Sequence, residues 1–291
     1  AEEGIKQPVF DSQESVYQQM CAELEEANRI YASQPYVDEK NRKLDGMYNF
    51  DMAKWRKFNN SLYLRLLCRI SGRQKTVVDG THNVAQKMAE IVSSPETYPV
   101  FESNEDNATV HYTGIAPYTS EFDNTSYTES SFTTGSYKLT DQMIKMMVIK
   151  DATNANVDLY TDPRLPIIGR KKREYWAGTI AGAAMGEESN NGDKNAAYLN
   201  YKVLCRNNSD EWFMDYAEVE FILAEAALKG LIPGGETVAK AHYEKAITAS
   251  LQKWSDFASP VDPTLAITAE GIQTFLNSSL ASWDQATTLE A

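Results

Sequence analysis

The sequence has few of the residues from which metal and redox sites are usually built. Its 291 residues include only three histidines and three cysteines, and no histidine lies within four residues of another histidine or of a cysteine. Cys21, Cys68 and Cys205 also lack the paired spacing of zinc ribbons and redox dithiols. The motifs G-x-S-x-G, H-E-x-x-H and G-x-x-x-x-G-K-[ST] do not occur. We therefore expect no metal site and no cofactor.

Positive charge and long apolar runs are also scarce. The chain has 28 Lys and Arg against 41 Asp and Glu, which gives a formal net charge of -13. Nucleic-acid binding is driven by clustered cations that release counterions, so this composition argues against it. No stretch approaches the roughly 20 apolar residues of a membrane span, and the N-terminus lacks a signal-peptide pattern. We expect the chain itself to be water-soluble.

The residues from Trp55 to Arg69 form the clearest helical pattern in the chain. Asp51 is the expected N-cap, and apolar residues recur at spacings of three and four on one side while Ser61 and two arginines share another. The apolar residues are Trp55, Phe58, Leu62 and Leu66. Because Arg65 and Arg69 are one turn apart and repel each other, we expect an acidic or carbonyl-rich neighbour to receive them.

Residues 213–256 predict a pair of antiparallel helices. The helices are expected from Asp215 to Lys229 and from Glu236 to about Trp254, with glycines and a proline between them. Small Ala227, Ala239 and Ala246 with bulky Tyr243 follow the tetratricopeptide pattern, in which small residues let two helices approach closely. Other helices are predicted from Asp11 to about Ala32, from Thr81 to Pro95, from Leu139 to about Asp151 and around Ile272.

Two stretches, 95–137 and 151–212, lack a helical period and are rich in aromatic residues. Long loops without secondary structure are uncommon in compact domains unless they serve binding or are disordered, and the aromatics argue against disorder. We expect irregular insertions with a few short strands, one of them from Tyr198 to Leu204.

Three blocks in the same order resemble the SusD/RagB family of Bacteroidetes cell-surface lipoproteins. They are Trp55–Arg69, Asp162–Leu165, and Asp215–Gly230 followed by Ala241–Ser250 and Trp254. The resemblance implies a mainly α fold, in which a scaffold of tetratricopeptide-like helix pairs carries irregular insertions. It further implies that 1–291 is a single helical domain, a piece of a longer protein without the family's lipid-anchored N-terminal part and its C-terminal part.

The resemblance also implies a function. Family members bind glycans, without catalysis, on the extracellular face of the outer membrane. A lipid that is absent from this chain anchors them there. Their partner is a SusC-like TonB-dependent transporter. A helical-repeat module that binds only protein is the alternative. An enzyme acting on glycans would need two carboxylates, and Glu218, Glu220 and Glu225 are the best placed. We interpret these three as structural, either solvated or paired, for example with Arg65 or Arg69.

Aromatic residues in the irregular stretches are the candidate glycan-binding residues. A sugar ring presents a C–H face that packs on a flat side chain, while its hydroxyls need polar partners. Tyr175 and Trp176 are the strongest pair, and Tyr112, Tyr118 and Tyr127 come next. For each residue the alternative is an aromatic that anchors its loop to the helical body.

Two short polar runs have competing interpretations. The basic run Arg170–Arg173 is either a solvated turn or an anion site, and its shortness favours the turn. The run Asn104–Asn107 could bind calcium through oxygens, but it lacks the spacing of a calcium loop.

Overall fold

A computed structural model gives the fold and describes residues 10–123, 126–134, 137–182 and 194–285. The chain divides into two compact units, of which the first comprises Ala1–Thr109 with Trp212–Ala246, and the second Val110–Glu211 with Ile247–Ala291. Parts of the predicted insertions, at 124–125, 135–136 and 183–193, lie outside the described residues. None of the helices in the described ranges combines the length and hydropathy that a membrane span requires.

The fold is mainly helical, as predicted, with short strands. The helices are α1 (Gln13–Ala32), α2 (Glu39–Arg42), α3 (Met52–Arg69), α4 (Val84–Ser93), α5 (Glu129–Thr134), α6 (Asp141–Met147), α7 (Leu165–Ile168), α8 (Tyr201–Leu204), α9 (Tyr216–Leu228), α10 (Gly235–Ala258) and α11 (Ala269–Leu276). The strands are β1 (Ala108–Val110), β2 (Val148–Lys150), β3 (Asp158–Thr161), β4 (Gly169–Arg170), β5 (Tyr198–Leu199) and β6 (Glu211–Met214).

Helix α3 is the centre of the first unit, because α1, α4 and α9 all pack against it. Asp51 caps it as predicted, and its carboxylate accepts hydrogen bonds from the Ala53 and Lys54 amides at 3.0 and 3.2 Å. Arg65 also finds the predicted acidic partner. Its Nε and Nη2 atoms donate to the two carboxylate oxygens of Glu218, both at 2.5 Å.

The predicted division of α3 into two faces is wrong at Ser61. Ser61 is fully buried, and its hydroxyl accepts a hydrogen bond from the Phe101 amide at 3.0 Å. Asn60 is equally buried and donates to the Pro99 carbonyl at 2.9 Å. A helix with neighbours on several sides buries polar side chains provided that each finds a hydrogen-bond partner.

Two helices of the first unit begin at a different cap from the one predicted. Ser12, not Asp11, caps α1 by accepting from the Ser15 amide at 3.1 Å. Asn83 caps α4 and forms a reciprocal capping box with Gln86. The predicted core face of α4 is confirmed, since its Val84, Met88 and Ile91 are all buried; the predicted start at Thr81 is two residues early.

The helix pair α9 and α10 forms where the sequence places it. Within the first unit, Phe221 of α9 meets Tyr243 of α10 edge to face with ring centroids 5.9 Å apart. Gly234 in the turn has φ 113°, a conformation that favours glycine, and a Cβ there would overlap Val238. Helix α10 continues beyond Ala246, and its residues from Ile247 belong to the second unit.

The second unit is built from short elements. Strands β2 and β3 pair antiparallel with Val148 opposite Thr161, and β4 and β5 pair antiparallel with Arg170 opposite Tyr198. The helix predicted from Leu139 to Asp151 ends at Met147, because Val148–Lys150 pair with β3 instead. Of the strand predicted from Tyr198 to Leu204, only Tyr198–Leu199 forms a strand, β5; Tyr201–Leu204 forms the helix α8.

Candidate functional site

An aromatic cluster fixes the stretch around Tyr127 in the second unit. Phe132 is fully buried, and its ring lies 4.8 Å from that of Tyr137 and 5.3 Å from that of Tyr201. Tyr127 stacks on Phe122 at 5.3 Å, and a hydrogen bond with Tyr137 raises the pKa of Tyr127. Tyr127 thus uses one ring face and its hydroxyl within the protein.

Tyr118 lies on a tight loop and has the most accessible ring of the five predicted binding residues. Its side chain is 65% exposed, and Ile115, Ala116 and Pro117 beside it are exposed as well. The loop is closed by bonds from the Gly114 amide to the Tyr118 carbonyl at 3.2 Å and from the Tyr118 amide to the Ile115 carbonyl at 2.9 Å. These bonds hold the ring in place without covering it.

Tyr112 is half-buried just before this loop. Its hydroxyl donates to Glu211 Oε2 at 2.9 Å, and that hydrogen bond raises the pKa of Tyr112. The neighbouring His111 Nδ1 lies 2.9 Å from Asp210 Oδ1. Two side-chain contacts therefore join residues 111–112 to residues 210–211, and they anchor the base of the loop.

Tyr175 and Trp176 are adjacent in sequence but differ in exposure. Trp176 is 3% exposed and packs in a core cluster with Leu139, Val148 and Leu165 among others. Tyr175 is half-buried, and the Lys150 ammonium lies 5.3 Å from its ring centroid. The indole is thus part of the core of the second unit, and Trp176 also lines a groove.

That groove has a volume of about 530 Å³. It combines apolar and aromatic walls with two cations and a hydroxyl. Its lining residues are Thr161, Pro166, Gly169, Arg170, Lys171, Trp176, Tyr198 and Leu265, all in the second unit. The sequence did not indicate Tyr198 as a site residue. The sequence signals for this groove were Trp176 and the basic run Arg170–Arg173.

Asp158 fixes the position of the basic side chains beside the groove. It accepts hydrogen bonds from Lys150 Nζ at 2.5 Å, from Lys171 Nζ at 2.7 Å and from the Trp176 amide at 3.0 Å. Burial opposes its ionisation, but these hydrogen bonds outweigh burial and lower the pKa of Asp158. The carboxylate therefore stays charged and holds two ammonium groups at this edge of the second unit.

The three carboxylates considered for catalysis all have partners. Glu218 pairs with Arg65, and Glu225 pairs with Lys229 one turn later. Glu220 is buried and lies 2.6 Å from His242 Nδ1. Burial together with a hydrogen bond to Glu220 raises the pKa of Tyr216. These contacts agree with the structural interpretation of the three residues.

A possible cation site in the first unit already contains a protein cation. Asp79, His82 and Glu90 bring potential ligand atoms within 4.8 Å of one another. The Lys87 ammonium, however, lies 2.7 Å from Asp79, 2.6 Å from Glu90 and 2.8 Å from Glu25. The positive charge of Lys87 therefore offsets part of the negative charge of these three carboxylates.

In the run Asn104–Asn107, side-chain oxygens of Asp106 and Asn107 likewise accept hydrogen bonds from protein groups. Asp106 Oδ2 accepts from Lys57 Nζ at 3.0 Å and from the Glu102 amide at 2.9 Å. Asn107 Oδ1 accepts from the Tyr216 amide at 2.7 Å. The run therefore caps and braces its neighbours.

Solved structures resemble this chain in fold. A SusD homologue from Bacteroides fragilis NCTC 9343 aligns with TM-score 0.74 and 22% identity, over 97% of this chain and 58% of its own. One from Parabacteroides distasonis ATCC 8503 aligns with TM-score 0.72 and 20% identity, over 94% of this chain and 53% of its own. A chitin-binding SusD homologue from Flavobacterium johnsoniae aligns with TM-score 0.61 and 22% identity, over 84% of this chain and 45% of its own.

The chain thus spans 58% of the length of the Bacteroides fragilis structure and 53% of the length of the Parabacteroides distasonis structure. A comparison with curated protein sequences found no match. A family model described as "Starch-binding associating with outer membrane" matches residues 1–290. Together with the fold, this match confirms the predicted resemblance and the tetratricopeptide-like helical scaffold. The chain belongs to the SusD-like family.

Proposed function

We propose that the protein binds oligosaccharides at the surface of the outer membrane for nutrient uptake and does not catalyse their conversion. The match of residues 1–290 to a family described as starch-binding and outer-membrane-associated carries this proposal. The partner would be a SusC-like TonB-dependent transporter. The intact protein would be lipid-anchored on the extracellular face.

One structural neighbour adds a second line of support. The Flavobacterium johnsoniae homologue is described as chitin-binding, so a related scaffold carries a polysaccharide site in that protein. Saccharide capture needs no general acid or nucleophile. It needs flat rings for the C–H faces of a sugar and polar groups for its hydroxyls.

Among the proposed binding residues, Tyr118 is the one whose ring is best placed to stack on a sugar. It is 65% exposed, and its loop is closed by backbone hydrogen bonds, so little ordering entropy is lost on binding. Tyr112 and Tyr127 support that region through the contacts described above. Trp176 and Tyr175 would contribute at the groove, which Trp176 lines.

The partners of the α9 carboxylates support a role without catalysis. A glycosidase needs one carboxyl group free to protonate and another free to attack or activate water. Glu218 is instead held by a bidentate bond to Arg65, and Glu220 is buried against His242.

A glycan array followed by calorimetry tests the proposal. We expect wild-type protein to bind at least one oligosaccharide, and Tyr118→Ala to lose about tenfold in affinity, since stacking on an aromatic is worth roughly 1–3 kcal/mol. Tyr36→Ala is the matched control, because Tyr36 is also exposed, at 88%, but belongs to the first unit.

Two outcomes would contradict the proposal. If no saccharide binds while the protein still captures a transporter, the alternative of a helical module that binds only protein is correct. If an oligosaccharide is turned over and Glu218→Gln abolishes turnover, the protein is an enzyme.

A further inference from the structure

The groove beside Trp176 has a charge opposite to that of the chain as a whole. Acidic residues outnumber basic ones by 41 to 28 in the sequence. The groove, however, is lined by Arg170 and Lys171 and by no carboxylate within the described part of the chain. Lys172 and Arg173 follow directly, and all four basic side chains are exposed.

Nearby carboxylates among the described residues neutralise these cations only in part. Asp158 already pairs with both Lys150 and Lys171. Among the described residues Arg170 and Lys172 form no ion pair, and Arg173 bonds to the neutral amide oxygen of Asn195 at 2.8 Å. Glu174 is the remaining acid of this segment, and it is exposed. Within the described part of the chain the groove edge therefore carries an excess of positive charge.

The strand pair β4 and β5 places one of these cations beside an aromatic ring. Arg170 and Tyr198 are directly opposite in the antiparallel ladder, and opposite residues share a face of the sheet. The Lys138 ammonium lies 5.8 Å from the Tyr198 ring centroid, and Lys171 Nζ lies 5.5 Å from that of Trp176. Cations thus lie next to both aromatic rings of the groove.

This arrangement suits a sugar ring that carries a negative group. Arg binds carboxylates and sulfates through two parallel hydrogen bonds, while the ring of the sugar packs on an aromatic face. A groove of about 530 Å³ is within the usual size range of small-ligand sites. A flat anionic lipid surface would engage the exposed cations but would leave the concave aromatic wall unused.

We propose that the groove formed by Arg170, Lys171, Trp176 and Tyr198 binds an acidic saccharide, in which a carboxylate or a sulfate is attached to the sugar ring. This inference rests on the proposed function, since it names the class of glycan that the protein takes. It also gives the basic run Arg170–Arg173 a role other than that of a solvated turn.

Calorimetry with three oligosaccharides of equal length tests the inference. The probes are hexagalacturonate, a sulfated galactan hexasaccharide and a neutral galactan hexasaccharide. We expect at least one acidic probe to bind about tenfold more tightly than the neutral one at about 50 mM salt, as a charge-assisted hydrogen bond is worth roughly 1.5–3 kcal/mol. The advantage should shrink at about 500 mM salt, and the tighter acidic probe identifies the anionic group.

Arg170→Gln should remove most of that advantage, so that the ratio of the acidic-probe affinity to the neutral-probe affinity falls toward one. Arg73→Gln is the matched control, an exposed arginine of the first unit, and should retain the full preference. Circular dichroism confirms that each variant is folded.

The possible failures are distinguishable. If the neutral probe binds as tightly as the acidic ones, or if Arg170→Gln keeps the preference, the inference is wrong and the proposed function stands. If none of these probes, and no other glycan, binds wild-type protein, both fail. If only vesicles rich in anionic lipid bind and Arg170→Gln releases them, the run contacts membrane and the inference is wrong.

Discussion

Lys87 in the first unit and Tyr118 in the second differ in what surrounds their side chains. The Lys87 side chain is 3% exposed, and carboxylates of Glu25, Asp79 and Glu90 surround its ammonium. Tyr118 is 65% exposed and keeps its ring in solvent, on a loop closed by backbone hydrogen bonds. One side chain is committed to the fold, and the other is available to a ligand.

The same contrast extends to other polar residues of the two units. In the first unit the buried Asn60 and Ser61 bond to neighbouring backbone, and Arg65 bonds to Glu218. In the second unit Arg170 and Lys172 project from a groove edge with no ion-pair partner among the described residues. Binding residues are commonly found on loops held by a rigid framework. We therefore expect mutations of these polar side chains to act on stability in the first unit and on binding in the second.

The largest expected effect is that of Lys87→Met. Removing the ammonium leaves the largely covered Asp79 carboxylate and the half-buried Glu25 and Glu90 without their shared counter-charge, so we expect the free energy of unfolding to fall by about 3 kcal/mol. Urea denaturation measures it. The control Lys75→Met replaces an exposed lysine of the same unit and should change stability by less than about 0.5 kcal/mol. A loss below about 1 kcal/mol for Lys87→Met would contradict this account of the first unit.

Gly178→Ala tests whether the irregular stretch 151–212 is rigidly packed. A Cβ at Gly178 would overlap the backbone of Thr140 and Asp141, where the Asp141 amide bonds to the Thr179 carbonyl at 2.8 Å. We expect a loss of about 1–3 kcal/mol, the usual cost of overpacking. Gly72→Ala is the control, since a Cβ there meets no atom within 4 Å. Equal stability of the two variants would mean that the stretch can shift freely.

The pH dependence of the first unit follows from Asp79. Burial opposes its ionisation, but hydrogen bonds from Lys87 and from the His82 and Thr81 amides outweigh burial and hold the pKa of Asp79 well below its usual range. The stabilisation is complete above the unfolded pKa of about 3.9 and is lost as pH falls. Between about pH 5 and pH 3 wild-type protein should lose about 1 kcal/mol more than Asp79→Asn. Parallel urea titrations at the two pH values measure the difference, and equal losses would refute the assignment.

The smallest expected effect on stability is that of Tyr118→Ala. An exposed ring that buries little area contributes less than about 0.5 kcal/mol, and thermal melting should show the same for the exposed Tyr36→Ala. A loss above about 1 kcal/mol would show that Tyr118 anchors its loop, and would remove the reason for assigning it to binding.

The sequence predicted the helical framework well because its signals are local. Asp51 caps α3, and the apolar spacing of Val84, Met88 and Ile91 identifies the core face of α4. The prediction failed where a partner outside the segment decides the structure. Val148–Lys150 leaves the predicted helix because it pairs with Asp158–Thr161, and no periodicity within the segment reveals that partner.

The candidate site was less predictable for the same reason. Sequence composition places Trp176 and Tyr118 in similar aromatic loops, but the exposures of these two residues are 3% and 65%. Trp176 packs against Leu139, Val148 and Leu165, which only the tertiary fold brings together. Tyr198 and Arg170 become neighbours through the pairing of β4 with β5. The sequence indicated the right class of residue, and the fold decides which rings a ligand can reach.

A crystal structure with a bound oligosaccharide selected on the glycan array tests the contrast between the two units most directly. The account predicts that the sugar contacts residues of Val110–Glu211, with a ring stacked on Tyr118 or lying in the groove beside Arg170 and Tyr198. A sugar bound only to residues of Ala1–Thr109 would contradict it.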